Sequence, residues 1–187
     1  MPIKIGVAGM KGSFSEEAAS YYCNKENITD YELVYLTSVN NVLESLDKGE
    51  SDLGVFPIEN SNGGIVYEAV DAMSKHVFNI QKLFEIDVQH CLHVLPGKKS
   101  SDITQIVSHP QALKQCRMYL KSKWGNVELK EYSDTASSAK DISEGKLPET
   151  SAAIAPRICS ELYGLEILEE SIQDLKFNFT TFIAANK

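Results

Sequence analysis

The chain has 187 residues, 43% of them apolar, and a formal charge of -8 from 18 basic and 26 acidic side chains. That length carries a substantial core, as one compact domain or two small lobes. Arg117 and Arg157 are the only arginines and there is no basic stripe or tail, which excludes the electrostatic footprint of a nucleic-acid binder.

No segment reaches about 18 uninterrupted apolar residues, and the opening MPIKIGVAG lacks the apolar stretch of a signal peptide. A cytoplasmic protein with no membrane contact is expected. Cys23, Cys91, Cys116 and Cys159 are far apart among apolar or helical neighbours, so free buried thiols are expected rather than a disulfide framework or zinc site.

Ile3 to Val7 reads as a strand that feeds the glycine turn Ala8-Gly9-Met10-Lys11-Gly12. Ser13, three residues before Glu16, has capping-box spacing and starts a helix through about Cys23. Tyr31 to Leu36 is a second strand. Val39, Val42, Leu43 and Leu46 then share a helical face that stops at Gly49. Leu53 to Phe56 is a short strand ending at Pro57, followed by the polar loop IENSNGG and a helix over 65–74.

Ile80 to Leu95 is an extended run closed by Pro96-Gly97, and Ile103 to Val107 is the next strand. Ser108-His109-Pro110 opens a helix to about Lys121. A strand over 127–132, a helix over 135–144, Gly145 and the strand Ala152 to Ala155 repeat the plan of the first half. A helix from about Pro156 ends at Gly164, Leu165 to Leu168 is short and apolar, and Phe177 to Ala185 reads as a returning strand. The predicted architecture is α/β: two lobes with parallel, helix-covered sheets and a cleft between them. The division is 1–78 and 165–187 for the first lobe and 79–164 for the second.

Four segments carry candidate chemistry. The turn GMKGSFSE fits both anion binding at a helix start, with Ser13 adding a hydroxyl, and plain capping. Its glycines match neither a dinucleotide motif nor a P-loop. In PIENSNGG, Glu59, Asn60 and Ser61 follow a strand end, where α/β proteins bind ligands, although an ordinary turn explains them equally. In SHPQALKQCR, His109 suits acid–base work or a helix start, and Gln111 and Gln115 lie one turn apart. In IQDLKFNFTTF, alternation puts Asn178, Thr180 and Phe182 on one side of a strand and Phe177, Phe179, Thr181 and Ile183 on the other. No metal-ligand spacing is present, so neither a metal nor a cofactor is expected.

In order, the blocks GMKGSFSEEAA, GVFPIENSNGG, SHPQALKQC, SDTASSA, SAAIAPRICSELYGL and IQDLKFNFTTF resemble the prephenate dehydratase family across essentially the whole chain. The resemblance implies a two-lobed type II periplasmic-binding-protein-like fold with an active-site cleft between the lobes. It also implies conversion of prephenate to phenylpyruvate, with loss of water and carbon dioxide, in phenylalanine biosynthesis. Carried over, it makes Thr180 and Asn60 catalytic and Ser13, Ser61, Gln111, Asn178 and Phe182 substrate-binding. Glu59, His109, Thr135, Thr181 and Arg157 become supporting residues. The family's asparagine-x-threonine-arginine-phenylalanine pattern falls on 178–182, with Thr181 in the arginine position, and Arg157, Lys11 and Lys176 as candidate compensators. The resemblance implies a small dicarboxylate substrate and a homodimer, with the regulatory ACT domain of many family members absent from this chain. Arogenate dehydration, nonaromatising decarboxylation of prephenate and a ligand-binding or inactive homologue are the competing readings.

Overall fold

The computed structural model describes residues 1–187. In chain order the elements are β1 (Ile3–Val7), α1 (Phe14–Lys25), β2 (Tyr31–Tyr35), α2 (Val39–Asp47), β3 (Leu53–Asn60), β4 (Gly64–Ile65), α3 (Tyr67–Met73), β5 (Asn79–Asp87) and β6 (His90–Val94). They continue with β7 (Gln105–Ser108), α4 (Pro110–Gln115), α5 (Arg117–Lys123), β8 (Glu128–Glu131), α6 (Thr135–Ser143), β9 (Ser151–Pro156), α7 (Cys159–Tyr163), β10 (Glu166–Glu169) and β11 (Phe179–Asn186). No helix is long and apolar enough to cross a membrane.

The chain divides into two compact units, Met1–Asp87 with Phe179–Lys187, and Val88–Asn178. The sequence division at 78/79 and 164/165 differs because the 80–95 run is two strands: β5 stays in the first unit, paired with β11, while β6 opens the second. Periodicity shows no break there, since both pieces keep an extended, partly apolar pattern.

In the first unit the strand order is β2-β1-β3-β11-β5, with β4 added to β3. In the second it is β10-β6-β9-β7-β8. Read from the opposite edge, the second order repeats the first: two outer parallel strands, a third parallel strand, then two antiparallel ones. The expected repeat is thus present in the topology, but both sheets are mixed rather than parallel.

One face of the first sheet packs on α2 and α3 through Val42, Leu43, Leu46, Phe56 and Ile183, all at most 2% exposed. The other carries Phe182, which stacks on Phe84 at 6.0 Å, and Phe84 in turn meets Tyr22 of α1 at 5.6 Å. The alternation expected along β11 is therefore real: Phe182 and Ile183 belong to opposite faces.

Local chemistry shifts three boundaries. β3 runs through Pro57 to Asn60, because the ladder with β11 is irregular there, between Thr181 and Phe182, and a proline is tolerated at such a point. The helix expected over 65–74 begins only at Tyr67, since Ile65 pairs with Glu59 as β4. The helix expected from Pro110 to Lys121 is broken at Cys116, where the Asp174 carboxylate accepts from the N–H groups of Met118 (2.7 Å) and Tyr119 (2.9 Å) and so starts α5 afresh.

Candidate active site

Topology gathers the first unit's polar residues at one edge of its sheet. β1 and β3 are parallel neighbours, so the loops after them leave from the same end, and β11, antiparallel to β3, begins at that end. The Ala8–Ser13 turn, the Asn60–Gly64 turn and the start of β11 all lie there.

In register, Asn60 of β3 faces Thr180 of β11. The Asn60 carboxamide oxygen accepts from the backbone N–H groups of Asn62 (2.9 Å) and Gly63 (2.7 Å), which fixes which end of the amide is which. Its Nδ2 is thereby aimed at Thr180 Oγ1 and donates to it over 2.8 Å. Asn60 is 7% exposed and Thr180 8%. One residue beyond, Ser61 N donates to the Phe179 carbonyl (2.8 Å) and Phe179 N donates to Ser61 Oγ (3.0 Å).

At the α1 start, Ser13 Oγ accepts from Glu16 N at 3.3 Å as the N-cap, while Glu16 Oε2 reaches past the cap to accept from Gly12 N at 2.5 Å. Gly9 is required by close approach, because a Cβ there would lie 2.3 Å from Ser13 Oγ, and Gly12 is required by its φ of +85°. Of the two readings of this turn, capping is built into the structure.

Thr181 points to the face opposite Thr180. Its cross-strand partners are Glu59 on β3 and Glu85 on β5, and its hydroxyl donates weakly to Glu85 at 3.4 Å. A neutral residue thus sits between two exposed carboxylates where the family resemblance leads one to expect arginine. Arg157 belongs to the second unit, where it is ion-paired with Glu170. Thr181→Arg is expected to stabilise the protein by about 1 kcal/mol, the sum of two cross-strand ion pairs. Its melting temperature then rises by about 2–4 °C. A lower melting temperature would show that the pocket has adapted to threonine.

The remaining expected site residues have other surroundings. Phe182 is 1% exposed and stacked in the core, and Asn178 is 0% exposed, which leaves neither with surface for a ligand. Asn178 Nδ2 instead donates to Val88 O and to Gln115 Oε1, both at 3.0 Å, while Asn178 O accepts from Val88 N, so it ties the two crossing strands together at the margin of the second unit. His109 is exposed, and its Nδ1 accepts from Gln111 N at 3.2 Å as the cap of α4. Gln111 is half-buried behind it, and Thr135 opens α6 beneath the Asp134 cap, its carbonyl accepting from Ser138 Oγ. All four cysteines are free and buried, and no group of three or more His, Cys, Asp or Glu residues has a metal-binding arrangement.

His90, inside an extended run of the sequence, is a buried polar residue of β6 that the sequence does not single out. It is 3% exposed, bonds Gln115 Oε1 through Nε2 at 2.7 Å, and its backbone N–H donates to Gln173 Oε1 at 3.1 Å. Burial pulls its imidazole down to about 4, only partly offset by the bond to Gln115. The unfolded chain therefore takes up protons more readily than the folded one, so this stability is complete above about pH 6.5 and is lost as pH falls toward 4. Between pH 7 and pH 5 the loss from His90 is about 2 kcal/mol. Denaturant midpoints at the two pH values should show it, and His90→Gln should shrink it; an unchanged difference would remove His90 as the cause. His93, also buried, shifts in the same direction.

A profile of the prephenate dehydratase family matches residues 5–187. The chain belongs to that family. Among its curated relatives is arogenate dehydratase 1 of Petunia hybrida, 35% identical over 184 residues, which make up 97% of this chain and 41% of that protein. Among solved structures, the prephenate dehydratase of Arthrobacter aurescens in complex with L-Phe matches with a TM-score of 0.89 and 30% identity, over 99% of this chain and 60% of that one. A methionine-binding lipoprotein homologue of Bacillus subtilis, at 12% identity and a TM-score of 0.53 over 100% and 83% of the two chains, shares the fold alone. The chain spans about two-fifths to one half of the length of the curated relatives it matches.

Proposed function

We propose that this chain removes the ring hydroxyl and ring carboxylate of prephenate together, forming phenylpyruvate, carbon dioxide and water in phenylalanine biosynthesis. The observation that carries the reading is the 2.8 Å bond from Asn60 Nδ2 to Thr180 Oγ1. An amide nitrogen only donates, so Thr180 accepts there and its single proton is left for another acceptor.

A donor so directed suits the departing ring hydroxyl. As the bond to the carboxylate breaks, its electrons enter the ring, the carbon–oxygen bond breaks, and charge grows on the leaving oxygen. Thr180 stabilises that charge as a positioned hydrogen-bond donor, a threonine hydroxyl being too weak an acid to give up its proton, and the departing hydroxide takes a proton from solvent to leave as water. Aromatisation supplies the driving force, which leaves orientation and charge stabilisation as the protein's task.

Ser13, half engaged as a helix cap, and Gln111 on the second unit are proposed substrate ligands on the strength of the family resemblance. So are a cytoplasmic location and a homodimeric state. Arogenate is a second substrate reading, favoured by the names of the plant relatives.

The test is a steady-state assay with prephenate that follows phenylpyruvate and carbon dioxide in parallel, with arogenate assayed separately. Equal rates of the two products from prephenate are expected. Carbon dioxide without phenylpyruvate would replace the reading with nonaromatising decarboxylation, saturable binding without either product would make the protein a binder, and turnover of arogenate alone would establish the second substrate.

A further inference from the structure

The β3–β11 ladder ends at the Asn60–Thr180 pair, and the chain after Asn60 turns away. At the next step an antiparallel pair would exchange two backbone hydrogen bonds. Only one survives, from Ser61 N to the Phe179 carbonyl, and the second is replaced by Phe179 N donating to Ser61 Oγ at 3.0 Å. Ser61 therefore uses both its backbone and its side chain on the residue immediately before Thr180. We propose that Ser61 is a positioning residue, whose hydroxyl stands in for a missing ladder carbonyl and holds the first turn of β11 so that Thr180 meets Asn60, rather than a ligand of the substrate.

The physical case is one of leverage. Thr180 is the second residue of β11, and β5 holds that strand on its other side, with Phe179 opposite Asp87 and Thr180 opposite Ile86, so the Ser61 hydroxyl is the added restraint on the side that faces Asn60, and its loss loosens that side alone. A displacement of the reacting group by a fraction of an ångström weakens a transition-state contact far more than ground-state binding, so the loss falls on kcat. The proposal rests on the dehydratase reading for its kinetic consequence but not for its structural one.

The experiment compares Ser61→Ala and Ser61→Thr with the parent chain by steady-state kinetics on prephenate and by hydrogen exchange of the Phe179 amide. Ser61→Ala is expected to lower kcat about tenfold with KM within about twofold, and to speed Phe179 exchange about tenfold, roughly the value of one hydrogen bond. Ser61→Thr, which keeps the hydroxyl, is expected to restore both. A raised KM at unchanged kcat would make Ser61 a substrate ligand, and unchanged Phe179 exchange in the alanine variant would remove the hydroxyl's structural role; either result overturns the proposal. A parent chain inactive on prephenate would fail the dehydratase reading and, with it, the catalytic half of the proposal, while the exchange arm would still decide whether the hydroxyl holds β11.

Discussion

Thr180→Val is expected to lower kcat on prephenate about 100-fold or more, corresponding to roughly 3 kcal/mol of lost transition-state stabilisation. Valine keeps the branched shape and β-propensity of threonine and removes only the hydroxyl. Because that hydroxyl is assigned to charge that develops on the leaving oxygen, KM should move little. The substitution also removes the Thr180 Oγ1 end of the bond from Asn60 Nδ2, so stability falls by about 1 kcal/mol, the net value of one hydrogen bond. Thr180→Ser, which returns a hydroxyl, should recover most of the rate. If the valine enzyme keeps its kcat in a steady-state assay, Thr180 is not the donor.

Asn60→Asp is expected to be at least as damaging, although it changes one atom. The oxygen that accepts from Asn62 N and Gly63 N is retained, so the turn survives. In place of Nδ2, however, a carboxylate oxygen now faces Thr180 Oγ1, and the hydroxyl proton turns toward it. The donor is lost as fully as in Thr180→Val, a loss of about 100-fold in kcat. The new negative charge also repels a dianionic substrate and raises KM. Circular dichroism and melting temperature separate this from misfolding, since neither should change greatly. Retention of more than about one third of the parent kcat, far above the loss given by one redirected donor, would show that the amide does not orient the hydroxyl.

Much of this was legible in the sequence because it depends on local rules. Ser13 and Glu16 stand at capping-box spacing, and Ser13 is the cap of α1, although Glu16 bonds Gly12 N rather than Ser13 N. Alternation in FNFTTF separated Thr180 from Thr181, and the structure puts them on opposite faces. What could not be read depended on partners distant in sequence. The β5–β6 division follows from the pairing of β5 with β11, some hundred residues later, and the break between α4 and α5 from Asp174, 56 residues beyond Met118. The separate surroundings of residues on one side of the strand depend on distant partners too: Asn178 and Phe182 share Thr180's side, yet Gln115 and Phe84 enclose them, while Thr180 bonds to Asn60. The family pattern marks Thr181 as standing in the arginine position, but its neighbours Glu59 and Glu85 follow only from strand register.

The most direct test of the claim that Asn60 orients Thr180 is a double-mutant cycle on kcat, with Thr180→Val and Asn60→Asp made singly and together. If the two side chains act as one unit, the double variant should be no slower than the slower single variant, within about threefold, because a hydroxyl already absent has no direction to lose. If instead the two losses multiply, to about 10,000-fold for two losses of about 100-fold, then Asn60 and Thr180 act independently, and the 2.8 Å bond between them is not what aims the donor.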